Sequence, residues 1–145
     1  MNLKIYSDKD AILRVPCEKV ESIKDHLSFA TSMYFTMKSL KAAGLAANQV
    51  GKSLRIITIS SPQFEGIMFN PIIISKVEEK IDFLEGCLSI KNKRTNTKTR
   101  SKTITVGWQD KTGTYNQKEF TDLTAVIIQH EIDHLSGILM TDYDT

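Results

Sequence analysis

The chain is poor in cysteine and histidine and has no long apolar run, and each shortage narrows what it can be. Two cysteines in 145 residues, Cys17 and Cys87, do not suggest a disulfide framework and point to a reducing compartment. No stretch approaches the roughly 20 apolar residues of a membrane span, so no membrane partner is expected. The first residues, Met1 to Asp8, contain neither an apolar signal core nor an Arg/Ser-rich transit pattern, so a cytoplasmic location is expected. There is no repeat, low-complexity tract or evident linker. A hydrophobic content of 41% and a charged content of 25% are those of an ordinary globular protein. The length predicts one domain over residues 1–145.

Two of the three histidines fall in one run, His130-Glu131-Ile132-Asp133-His134, close to the end of the chain. On a helix, four residues turn through roughly 400°, so both imidazoles leave the same face one turn apart. Two ring nitrogens then reach one metal ion, with Glu131 as a base toward its water. The residues after His134 offer only Asp142 and Asp144 as ligands, and position 140 is Met where a metzincin needs a third His. The third ligand is therefore sought upstream, at Cys87 in Glu85-Gly86-Cys87-Leu88-Ser89. One Cys and two His leave a coordination position open, as in catalytic rather than structural sites. His26 lies in a segment that reads as a surface helix and is not expected to be a ligand. The bland alternative is that His130 and His134, on a stripe with Val126 and Ile127, are satisfied core residues.

Residues from about Lys19 to Ala43 carry a helical pattern that Gly44 is expected to end. Strands are predicted at 54–59 and 71–77, and around 81–89, 102–109 and 117–120, with a turn at 110–113. A last helix should begin at Thr121 or Asp122, either able to cap it, and stop at Gly137. The expected fold class is α+β: mixed or antiparallel sheets packed around the C-terminal metal-binding helix, with one long N-terminal helix.

Three blocks together resemble the signature of the peptide deformylases: Gly44-Leu45-Ala46-Ala47-Asn48-Gln49, Glu85 to Ser89, and Gln129 to Leu135 with Gly137. Asn70-Pro71 and Arg100 are similar too. The resemblance implies a hydrolase that removes the formyl group from formylmethionyl peptides. It implies one divalent metal held by Cys87, His130 and His134, Fe(II) by preference, with Zn, Ni or Co as substitutes. Glu131 would act as base and then acid, and the Gln49 side chain and Leu88 N–H would donate to the oxyanion. Gly44, Glu85, Gly86, Arg94, Leu123 and Ile127 are expected to meet substrate, with Phe83 and Val126 beside them. Two other classes stay open: another small metallopeptidase, or an inactive binding module of the same fold.

Three features depart from the family. Ala42 stands where a glycine is usual, Lys91 follows Ile90 where proline is common, and the chain stops at Thr145 where bacterial members continue into a helix. Such compact forms resemble those carried by bacteriophages, which would act in a host cytoplasm. Residues 91–102 carry six basic groups and no acid. They read as a solvated loop or hairpin, with weak ribosome association as the bolder expectation. Arg100 is expected to pair with Asp133 or Glu85, and the protein is expected to be a monomer that binds no specific nucleic acid.

Overall fold

A computed structural model describes residues 2–144. Helix α1 (Leu27–Ser39) precedes strands β1 (Gly44–Ala46), β2 (Ile56–Ser61), β3 (Phe64–Lys76), β4 (Leu84–Cys87), β5 (Ile90–Asn96), β6 (Thr103–Gln109) and β7 (Tyr115–Thr121), and helix α2 (Asp122–Leu135) follows. Five strands form one antiparallel sheet in the order β1-β2-β3-β6-β7, while β4 and β5 form a separate hairpin. The architecture is thus α+β with antiparallel sheets and a C-terminal helix. Among the described residues, no helix is long and apolar enough to cross a membrane.

β2 shows why its sequence is apolar without interruption. Ile57 and Ile59 point to one side, where they pack with Met68, Phe120, Ala125 and Ile128. Ile56 packs on the other side with Met33, Met37 and Phe69, and the Thr58 hydroxyl there donates to Met37 Sδ at 3.3 Å. Both faces of the strand are covered by helices, so there is no wet face to carry polar residues. α2 is buried almost all round, from Thr124 through Glu131 and at His134 and Leu135. Its polar side chains must therefore find partners in the protein.

The N-terminal helix is shorter than its pattern. It begins at Leu27, after a 3₁₀ turn at Lys24–His26. The residues before it are held extended: Cys17 N–H donates to Leu135 O, Glu18 exchanges bonds with Ser53 and Arg55, and Val20 N–H donates to Asn70 Oδ1. The helix also stops before Gly44. Lys41, at φ 56°, takes the left-handed position, with Lys41 N–H on Lys38 O and Ala42 N–H on Met37 O. That is a Schellman ending with lysine in the place glycine usually takes, which frees Gly44 for β1. Gly137, at φ 75°, ends α2 by the same two bonds, to His134 O and Asp133 O.

One other expectation is corrected. Thr121 precedes α2 but makes no side-chain cap; Gln63 takes its N–H on Oε1 at 2.9 Å and donates to its hydroxyl at 2.8 Å. Of the loop or hairpin expected for the basic stretch, the hairpin is found: Ile90–Asn96 form its second arm.

Asn70 ties the extended N-terminal segment to the sheet. At φ 51° it accepts from Val20 N–H and donates to Val20 O and Gln109 Oε1. Asn70→Ala should lose these bonds and the tolerance of a left-handed backbone, lowering stability by about 2–4 kcal/mol in urea unfolding. Asn70→Gly, which keeps the backbone freedom, should lose less; equal losses would contradict this reading.

Candidate metal centre

α2 and the β4–β5 hairpin meet at one point. Donor atoms of Cys87, His130 and His134 lie within 4.8 Å of one another, and this is the metal-ligating group of the described residues. Cys87 Sγ is 3.4 Å from His134 Nε2, and the two imidazole centroids are 4.9 Å apart. The helical spacing therefore places the histidines as expected, and β4 brings the cysteine to them. His26 lies outside the group.

Glu85, two residues before Cys87, fixes the first imidazole. Its Oε1 is 2.8 Å from His130 Nδ1, which leaves Nε2 as the free donor atom. A carboxylate behind a ligating imidazole is a common support of metal sites. Glu85 and Arg100 are each only 3% exposed, and they form a bidentate pair at 2.7 and 2.9 Å. Thr97 donates to the same carboxylate, and Arg100 also donates to Asp133 at 2.5 Å. Arg100 thus pairs with both acids that the sequence offered as alternatives. Burial alone would raise the Glu85 pKa, but His130 and Arg100 hold it down at about 2. Glu85 borders the cavity, yet its carboxylate is turned to His130 and Arg100 rather than to the space a substrate would fill.

Burial and neighbouring charges pull these groups in different directions. Burial would lower the His130 pKa, but Glu131, Cys87 and Glu85 raise it to about 10. Burial and the neighbouring His130 drive His134 the other way, well below its ordinary value. Glu131 is pushed up to about 7 by its burial, and its Oε1 is buried without a hydrogen-bond partner. One sulfur and two imidazole nitrogens converging on one point are donors that a single divalent metal ion takes, so the donor set fits one metal ion.

Gln49 sits on the 3₁₀ turn Ala47–Val50 immediately after β1. Its Oε1 accepts from Ala46 N–H at 2.9 Å, which aims Nε2 at Ser89 Oγ (3.1 Å) and Cys87 Sγ (3.6 Å). Among the described residues the Leu88 N–H has no hydrogen-bond partner. Glu131 lies against Gly44, where an added Cβ would meet its Oε2 at 2.5 Å. A cavity of about 450 Å³ opens beside these groups and is lined by Gly44, Gln49, Gly86, Cys87, Leu88, Arg94, His130 and Glu131, with Phe83, Leu123, Val126 and Ile127 as its apolar wall. Ala42, in the place where the family usually has glycine, lines it as well.

Several supporting residues carried no assigned role in the sequence. Gln129 pairs with Ser101 through both amide atoms, at 2.8 and 3.0 Å, and so ties α2 to the start of β6. Asn48 donates to His134 O at 2.6 Å. Both lie inside the blocks that resemble the family, and their burial could not be seen without the fold. Tyr143, beyond the last block, donates to Asp133 at 2.8 Å.

Known proteins share this sequence pattern and this fold. The family model for polypeptide deformylase matches residues 2–144. The peptide deformylase of Finegoldia magna is 39% identical over 142 residues, covering 96% of this chain and 87% of its own. The crystal structure of peptide deformylase from Thermotoga maritima superposes with a TM-score of 0.93 at 31% identity, over 98% of this chain and 97% of that one. A probable peptide deformylase from synechococcus phage S-SSM7 gives 0.89 at 38% identity, over 98% and 99%. A cysteine sulfur and two imidazoles beside a buried glutamate, on a chain matched over residues 2–144, place this protein in the polypeptide deformylase family, the metal-dependent hydrolases that remove the formyl group from nascent chains.

Proposed function

We propose that Cys87, His130 and His134 hold a single Fe(II) ion and that the whole chain works as one catalytic unit on formylmethionyl peptides. The convergence of these three donors beside Glu131 carries the proposal. A divalent metal so held supplies Lewis acidity, polarising the formyl carbonyl and lowering the pKa of water. Zinc, nickel and cobalt suit the same soft and borderline donors and should serve as substitutes. Thiolate-held Fe(II) is expected to lose activity in air as iron or sulfur oxidises.

The chain's own residues do the rest. Glu131 takes the proton from the attacking water as its oxygen bonds to the formyl carbon, then gives it to the methionine nitrogen as the C–N bond breaks. Formate and a free amine leave. Gln49 Nε2 and the Leu88 N–H donate to the carbonyl oxygen as it gains charge. The Ala43 carbonyl accepts from Ser60 N–H, so by strand alternation the polar groups of Gly44 face away from β2. β1 is an edge strand, and a substrate backbone can pair there as an added strand. Gly86 stands across the cavity, and Phe83, Leu123, Val126 and Ile127 receive the methionine side chain. Arg94, exposed at the rim and within contact distance of Gly86, meets the peptide beyond the methionine.

We take the protein to act as a monomer in a cytoplasm and to associate weakly with ribosomes. Lys91, Lys93 and Arg94 are exposed on β5, the strand whose Arg94 lines the cavity, which favours docking near the emerging chain. Arg100 is buried and Lys93 pairs with Asp144 at 2.8 Å, so the free charge is smaller than the composition suggests.

Three outcomes test this reading. Glu131→Gln should lower kcat for deformylation by about 100-fold or more while one metal per chain remains bound; a near-normal rate would remove Glu131 from its role. Gly44→Ala forces its methyl against the Glu131 carboxylate and should cost about 100-fold in kcat/KM with the fold intact. A variant as active as wild type would show that the carboxylate need not sit there. Replacing Lys91, Lys93 and Lys98 by Glu should abolish salt-sensitive co-sedimentation with ribosomes; unchanged binding would end the docking proposal.

A further inference from the structure

The charged chain behind His130 continues beyond Arg100 to the end of the described chain. The 3₁₀ turn Met140–Tyr143 follows α2 and is anchored on two sides. Arg14 grips it with two bonds to Asp142, at 2.7 and 2.9 Å, and a third to Gly137 O. Leu139 and Met140 are buried with Leu13 and Ile90, and Cys87 packs against the same cluster. The turn thereby presents Tyr143 to Arg100. The tyrosine ring lies 5.0 Å from the guanidinium carbon, and its hydroxyl donates to Asp133 Oδ2 at 2.8 Å. That oxygen also receives Arg100 Nη1 at 2.5 Å.

The consequence lies in the geometry of a shared acceptor. Arg100 uses its other N–H groups on Glu85, and Glu85 holds His130 Nδ1. A guanidinium is planar, so the direction in which it meets Asp133 also sets the plane in which it meets Glu85. The Tyr143 hydroxyl fixes the Asp133 carboxylate, and the ring covers the guanidinium. Tyr143 does not line the cavity, so it has no direct access to substrate there.

We propose that Tyr143 is a positioning residue of the metal centre, acting through Asp133, Arg100 and Glu85 on the orientation of His130. This rests on the metal-site reading above. The probe is Co(II), titrated into metal-free protein and followed by visible absorption. Partners directly behind a metal ligand change affinity by about 10–100-fold when removed, and Tyr143 stands further back. Tyr143→Phe, which keeps the ring and loses the hydroxyl, should raise the Co(II) dissociation constant by about three- to tenfold and shift the Co(II) spectrum. The melting temperature of the metal-free protein should change little. In an Asp133→Asn background the same change should have less than about a twofold effect, because coupled residues are not additive.

Wild-type affinity and spectrum in Tyr143→Phe would overturn the proposal. So would a loss of affinity matched by a lower metal-free melting temperature, or the same factor in both backgrounds. Failure of the wild type itself to bind one Co(II) would instead overturn the metal-site reading, and this proposal with it.

Discussion

The contact between Glu85 and His130 joins the two halves of the site. Cys87 belongs to a hairpin and the histidines to a helix, and the hairpin is a sheet of its own, separate from the five-stranded one. A 2.8 Å bond from β4 to α2, two residues from the thiol, sets the distance between sulfur and imidazole. A buried carboxylate is costly unless its lone pairs are filled, and here Arg100, Thr97 and His130 fill them. Arg100 in turn needs Asp133 to balance it. Glu85 and Arg100 each bind more than one of the others, so the group is held together as a unit.

The rest of the fold serves to place α2 against that hairpin. One side packs on the sheet through Ala125, Ile128 and Leu135, and the side carrying Val126, His130 and Glu131 faces the cavity. Because the helix is buried nearly all round, its register is fixed by specific polar partners as well as by packing. Gln129 clamps it to Ser101 and Asn48 holds the His134 carbonyl. Gly44 matters for the space it leaves: the Glu131 carboxylate occupies the volume that a side chain there would take. One glycine therefore lets an edge strand and the Glu131 carboxylate share the same wall.

Much of this was legible in the residues. The four-residue histidine spacing, the upstream Gly86-Cys87 and strands β2, β6 and β7 came out close to where local pattern places them, while β3 starts at Phe64 rather than at 71 and β1 was not foreseen. What was not legible depended on contacts distant in sequence. The pattern before Leu27 reads as helix, yet Asn70, Ser53 and Leu135 pull its backbone straight. Lys41 ends α1 in a glycine's conformation, which no local preference announces. Gln63 displaced the cap expected of Thr121. Glu85 was expected to meet substrate because it lies in a signature block; only the fold reveals that its carboxylate faces His130 and Arg100.

The central claim is that this pocket hydrolyses a formyl amide rather than a peptide bond. The most direct measurement offers formyl-Met-Ala-Ser and Met-Ala-Ser to wild-type protein prepared without oxygen and loaded with Fe(II) or Ni(II), with products identified by mass spectrometry and a formate assay. The account predicts formate and free Met-Ala-Ser in equal amounts from the first, and no cleavage of the second. Folded, metal-loaded protein that releases no formate, or that cuts the unformylated peptide, would contradict it.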